Sequence, residues 1–163
     1  MFPDDLESQA AALLELCRHR RIKLATAESC TGGLVAGCLT AIAGSSDVVD
    51  RGFVTYTNNA KADMLDVSTA LLAAHGAVSE PVARAMSEGA LAHSLADIAV
   101  AVTGIAGPGG ATPTKPVGLV HFAVARRGGI VTHERHVLPG DRTQVRLASV
   151  RIALDMLTKA AQP

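Results

Sequence analysis

Apolar positions along residues 4–20 recur at helical spacing. Leu6, Ala10, Leu13, Leu14 and Cys17 form one stripe between charged neighbours, with Asp4 or Asp5 placed to cap it. The period then shortens. IKLATA at 22–27 reads as a short strand, and Gly32-Gly33 opens a helix through LVAGCLTAIA that stops before Gly44. RGFVTY at 51–56 is a second strand, followed by two short helical segments near 58–66 and 68–74. Ser79 is placed to cap a helix over 80–94, with Pro81 tolerated in its first turn. DIAVAVT at 97–103 is nearly all apolar, as a strand buried on both faces requires. VGLVHFAVA and GIVTHERHVL, joined across RRGG, make a hairpin with Gly128-Gly129 at its turn. Asp141 and Gln144 have capping-box spacing at the start of a last helix, 142–160. Helices and strands alternate and end in a hairpin, which predicts an α/β fold: a mixed sheet with helices on both faces. No repeat, low-complexity tract or linker interrupts the chain, so residues 1–163 read as one domain.

Composition narrows the classes of function. Hydrophobic residues make up 48% and charged residues 18%, which describes a packed globular protein rather than a disordered one. Fifteen basic and fifteen acidic side chains cancel, and aromatics are 2%, so neither a basic stripe nor a base-stacking platform points to nucleic acid. Apolar runs fall short of the roughly 18–20 residues a membrane span needs. The start, MFPDDLESQ, has no signal-peptide pattern, and the expected location is cytoplasmic. Cys17, Cys30 and Cys38 are odd in number without a CxxC pair, and read as buried free thiols. His133 and His136 lack HExxH spacing, and are expected as two exposed strand residues on one side of an edge rather than as metal ligands.

Three stretches carry candidate chemistry. In TAESCTGG, 26–33, a strand ends, small polar residues follow, and Gly32-Gly33 starts a helix. Free N–H groups and the helix dipole there favour an anion, and Ser29 and Thr31 add hydroxyls; the same pattern also serves a tight strand–helix turn. The second is the Gly/Pro loop GIAGPGGATPTKP, 104–116, directly after Thr103. It is not a P-loop, because Lys115 is followed by Pro116 and no Ser or Thr comes next. The third runs from Gly44-Ser45-Ser46 to Lys61. Tyr56 is the only tyrosine and Lys61 one of four lysines. With Asn58 or Asn59 as cap, Lys61 falls in a first helical turn, where the dipole disfavours an ammonium. A lysine made neutral by burial is a base for a serine nucleophile.

Seven blocks occur in order: TAESCTGG at 26–33, AGSS at 43–46, RGFVTYTN at 51–58 with Lys61, GAVSEP at 76–81, TGIAGP at 103–108, KPVG at 115–118 and GDR at 140–142. This set resembles the CinA C-terminal domain family, the nicotinamide-nucleotide amidohydrolases also called PncC, over essentially the whole chain. The resemblance implies a three-layer α/β/α sandwich with a mixed sheet. It implies hydrolysis of the carboxamide of nicotinamide mononucleotide to nicotinate mononucleotide and ammonia, in pyridine-nucleotide salvage, without metal or cofactor, by a domain that stands alone and pairs as a homodimer. Carried over by position, Ser46, Tyr56 and Lys61 are the catalytic set. Ser29, Thr31, Gly32, Gly33, Thr103, Gly104, Ala106 and Gly107 shape the substrate site, and Arg142, ahead of Arg146, pairs with the phosphate. Two other mechanisms stay open: Ser29 as nucleophile, since it too sits at a strand-to-helix turn, and direct activation of water. The other functional class is a non-catalytic module that binds a nucleotide or a partner.

Overall fold

The computed structural model describes all 163 residues. Chain order is α1 (Asp4–Arg20), β1 (Leu24–Glu28), α2 (Leu34–Thr40), a single 3-10 turn (Ser45–Asp47), β2 (Val49–Val54), α3 (Asn58–Leu65), α4 (Thr69–His75), α5 (Glu80–Ala92), β3 (Ile98–Gly104), β4 (Leu119–Arg126), β5 (Val131–Val137) and α6 (Arg142–Ala161). One mixed sheet has strand order β2-β1-β3-β4-β5. β1 pairs parallel with both β2 and β3, while β3, β4 and β5 are antiparallel. The α/β fold with helices on both faces is as the alternation predicts. No helix is long and apolar enough to cross a membrane.

The two faces are built differently. Leu24, Val100, Val102, Phe122 and Val124 pack with α1, α2 and α6 into the larger cluster of 26 buried residues. The opposite face offers mainly alanines, Ala25, Ala27, Ala99, Ala101 and Ala125, to Val82, Met86 and Ala90 of α5. Small side chains let α5 come close, and its neighbour is equally close: a Cβ on Gly89 would overlap the Leu65 carbonyl at the end of α3. Position 89 therefore holds glycine for space, at some cost in helix propensity.

The ends of elements correct several local expectations. The α1 cap position is Pro3, and neither Asp4 nor Asp5 makes a side-chain cap bond; both lie in the first turn, where carboxylates suit the dipole. Thr57, not Asn58 or Asn59, caps α3 by accepting from the Ala60 N–H at 3.1 Å. Ser79 occupies the α5 cap position, yet its hydroxyl turns back to donate to the Gly76 carbonyl at 2.8 Å. The Asp141–Gln144 capping box is present. All three cysteines are buried free thiols. His133 and His136 are three apart on β5, so they face opposite sides of the sheet rather than one. His133 bonds His121 across the strands at 2.9 Å, while His136 bonds Glu134 at 2.8 Å.

Candidate active site

Parallel pairing brings the carboxyl ends of β1, β2 and β3 to one edge of the sheet, where ligands of such sheets bind. Ser29 follows β1, Tyr56 and Lys61 follow β2, and Thr103 and Gly104 end β3. The ladder continues one rung past the strands: the Ser29 N–H donates to the Val102 carbonyl at 2.9 Å, and the Thr55 N–H to the Glu28 carbonyl at 2.8 Å.

Lys61 is the largest side chain among the most buried, only 1% exposed. Its Nζ lies 3.0 Å from Ser29 Oγ and donates to the Thr55 carbonyl at 2.7 Å. No carboxylate accepts from it. Burial alone pulls the amine from 10.5 down to about 8, with the neighbouring Cys30 thiol pulling slightly the other way. Roughly a quarter of the molecules then carry a neutral amine at pH 7.5. A carbonyl only accepts, so an N–H must point at Thr55. The ammonium donates to Ser29 Oγ as well, whereas the neutral amine has a lone pair that can accept from the Ser29 hydroxyl. Ser29 itself is 9% exposed, so the serine is reachable while its base is sealed.

Ser46 is not part of this arrangement. It lies on the turn before β2, whereas Lys61 follows that strand. Six residues of β2, at about 3.3 Å each, separate the two edges by roughly 20 Å. The neighbours of Ser46 are structural: Arg18 bonds Asp47 at 2.7 Å, and Lys23 Nζ donates to the Asp47 carbonyl at 2.8 Å. The serine beside the lysine is Ser29, not Ser46.

Tyr56 is 57% exposed at the mouth of the site. Arg142, the first residue of α6, donates to the Tyr56 hydroxyl and to the Gly107 carbonyl, both at 2.9 Å. The guanidinium thus ties together β2–α3, the β3–β4 loop and α6. Thr103 is buried and donates to the Ala77 carbonyl at 2.9 Å. Ala106 is 4% exposed and packs into the larger core cluster, so its side chain supports the loop from beneath. Gly104 closes the antiparallel rung with Val120.

Gly32 and Gly33 have φ of 60° and 97°, left-handed values that favour glycine and let the chain double back into α2. The anion expected at this helix start is supplied by the chain itself. The fully buried Glu28 carboxylate accepts from the N–H groups of Gly33, Val35 and Ala36 at 2.9–3.1 Å. An incoming anion finds those donors taken. Two residues that sequence reasoning passed over therefore shape the site, Glu28 and Thr55. The glutamate stood in the quoted TAES stretch; the Thr55 carbonyl had no side-chain signal at all. The largest concavity, about 310 Å3, lies between the β4–β5 turn and the end of α6, at the far edge of the sheet. The Ser29–Lys61 pair does not line that concavity.

Known proteins share this sequence pattern and fold. The sequence profile of the CinA C-terminal domain matches residues 6–161. The structure superposes on the competence/damage inducible protein CihA of Agrobacterium tumefaciens with TM-score 0.97 at 55% identity, covering 99% of each chain. It superposes on competence damage-inducible protein A of Klebsiella pneumoniae with TM-score 0.91 at 40% identity, covering 94% of this chain and 95% of that one. A CinA-like protein of Mycolicibacterium gilvum is 53% identical over 98% of this chain, which spans only 37% of that relative's length. Profile, sequence and structure concur: the chain belongs to the CinA C-terminal domain family.

Proposed function

We propose that this chain is an amidase that hydrolyses the carboxamide of nicotinamide mononucleotide, with Ser29 as nucleophile and Lys61 as its base. The observation that carries the chemistry is the 3.0 Å pair of a reachable serine and a sealed amine drawn down to about 8. The choice of substrate rests on family membership and the seven sequence blocks.

Lys61 takes the Ser29 hydroxyl proton, and Oγ attacks the amide carbon. The tetrahedral intermediate collapses as Lys61 returns that proton to the departing nitrogen, releasing ammonia and leaving the acyl group on Ser29. Water then attacks the ester, giving its proton to Lys61, and the carboxylic acid leaves as Ser29 recovers its hydrogen. Tyr56 accepts a bond from Arg142, so its own O–H is free to donate to the substrate. Arg142 keeps a positive charge at the mouth, where the nucleotide phosphate arrives.

The test is direct. Purified protein is incubated with nicotinamide mononucleotide, and ammonia and nicotinate mononucleotide are measured. Release well above a Lys61→Ala control is expected; release no greater than that control overturns the proposal.

A further inference from the structure

The loop after β3 crosses the carboxyl edge of the sheet, and the chain holds it from both faces. Its base is closed by the ladder: the Ile105 N–H donates to the Leu119 carbonyl and the Gly118 N–H to the Ile105 carbonyl, both at 2.8 Å. Beyond that base, residues 108–114 are exposed. From one face Arg142 of α6 donates to the Gly107 carbonyl at 2.9 Å. On the other face lies α4, whose Leu72 packs in the cluster under α5. There Lys115 Nζ donates to the carbonyl of His75, the last residue of α4, at 2.7 Å.

Lys115 suits that contact. The last carbonyls of a helix lack intrahelical donors, and a cation both completes them and meets the negative end of the dipole. Gly76 leaves room for it, since a Cβ there would stand 3.0 Å from Nζ. The lysine is also firmly mounted. The Thr112 N–H donates to the Lys115 carbonyl at 2.8 Å, and the Lys115 N–H returns to the Thr112 carbonyl at 3.3 Å.

The two anchors are joined through the loop. Val117, two residues past Lys115, packs on Gly107: a Cβ at position 107 would lie 2.6 Å from Val117 Cγ1. Gly107 supplies the carbonyl that Arg142 Nη1 holds, while Nη2 donates to the Tyr56 hydroxyl. Contacts thus run without a break from the end of α4, through Lys115, Val117 and Gly107, to the guanidinium at the mouth. Arg146, one turn along α6, is no substitute: its Nε and Nη2 donate to the Cys30 and Thr31 carbonyls at 3.1 and 3.0 Å.

We propose that the 105–117 loop is an arch pinned on both faces of the sheet, and that Lys115 is the positioning residue that holds its far foot and so fixes Arg142 for the substrate phosphate. This rests on the amidase reading, in which Arg142 meets that phosphate. The Ser29–Lys61 contacts do not pass through the loop. Lys115 therefore governs how the substrate is held, not how readily Ser29 attacks.

Lys115→Met keeps an apolar stem and removes the donor. KM for nicotinamide mononucleotide is expected to rise about 10-fold with kcat within about twofold of wild type, the pattern of lost uniform binding. A second readout needs no substrate. The chain has one tyrosine and no tryptophan, so its emission, excited beyond the phenylalanine band, comes from Tyr56 alone. Time-resolved anisotropy should show more fast local motion of that ring in Lys115→Met, approaching Arg142→Ala, which removes the guanidinium outright. A raised KM with the wild-type anisotropy decay would make Lys115 a direct ligand and overturn the assignment. An active variant with unchanged KM overturns it as well, whether or not kcat falls. The two proposals fail separately. A wild type that releases no ammonia, while Lys115→Met loosens Tyr56, refutes the substrate and leaves the arch intact. A wild type that hydrolyses the mononucleotide, while Lys115→Met matches it in KM and in anisotropy, refutes the arch alone.

Discussion

Replacing Lys61 by methionine separates what the buried amine does for chemistry from what it does to the fold. Holding the amine at about 8 instead of 10.5 means the ammonium is disfavoured in the folded protein by on the order of 3 kcal/mol. The sign follows from proton counts. Between about 8 and 10.5 the unfolded lysine keeps its proton while the folded one releases it, so wild-type stability rises with pH across that window. Below 8 both states are protonated and the full penalty stands. Lys61→Met carries no such group. Its unpaired Ser29 hydroxyl and Thr55 carbonyl impose a cost that does not depend on pH. The assay is urea unfolding of both proteins from pH 7 to pH 10.5, taken as a difference so that shared groups cancel. Wild type should gain about 3 kcal/mol on the variant over that range. In parallel, wild-type kcat/KM should rise with pH to a plateau above an apparent pKa near 8. A stability difference that stays flat from pH 7 to 10.5 refutes the depressed amine, and with it the case for Lys61 as base.

Three further outcomes can be measured independently. Ser29→Ala should lower kcat by at least ~1,000-fold while Ser46→Ala leaves it near wild type, because only Ser29 touches Lys61; a crippled Ser46→Ala enzyme would contradict the placement. His121 is pulled down to about 4, first by burial and then by His133, Arg135 and Lys115, with Glu80 opposing, and His133 is lowered mainly by burial. The unfolded chain therefore takes up protons first as pH falls from about 6.5 toward 4, and stability should drop there by on the order of 3 kcal/mol. His121→Gln should flatten that acid limb in urea titrations; an unchanged limb counts against it. Gly89→Ala gains about 1 kcal/mol of helix propensity but drives Cβ into the Leu65 carbonyl, for a net loss of about 2 kcal/mol by thermal unfolding. A more stable variant would show that α5 can retreat from α3.

Periodicity was a good guide where an element's own residues decide its state. The stripe through Leu6 to Cys17 ends where α1 ends, and the Asp141–Gln144 spacing is a working capping box. It was a poorer guide to which polar side chain finds a donor: Asn58 or Asn59 was expected to cap α3, and Thr57 does so. Which serine meets Lys61 turns on topology. Ser46 precedes a strand and Ser29 follows one, and in a parallel sheet those positions lie on opposite edges. That signal was present in the order of elements, but the family blocks drew attention to Ser46. Glu28, Thr55 and Arg146 act through backbone groups, which no residue pattern advertises. The alanines under α5 were legible as apolar, though not as the close seat of that helix.

The extra rung that joins Thr55 to Glu28 and Ser29 to Val102 gives the reactive pair a different mechanical status from its surroundings. Ser29 and Thr55, whose carbonyl holds the Lys61 amine, are spaced by main-chain bonds continuous with the sheet, so their separation is inherited from strand register rather than from any loop. Tyr56, Arg142 and the 105–117 segment belong to the exposed, connecting part of the molecule. A change in the length or residues of that segment would alter the rim while leaving the spacing of Ser29 and Thr55 as the ladder sets it. On the proposed mechanism, reactivity would rest on the ladder and selectivity on the rim.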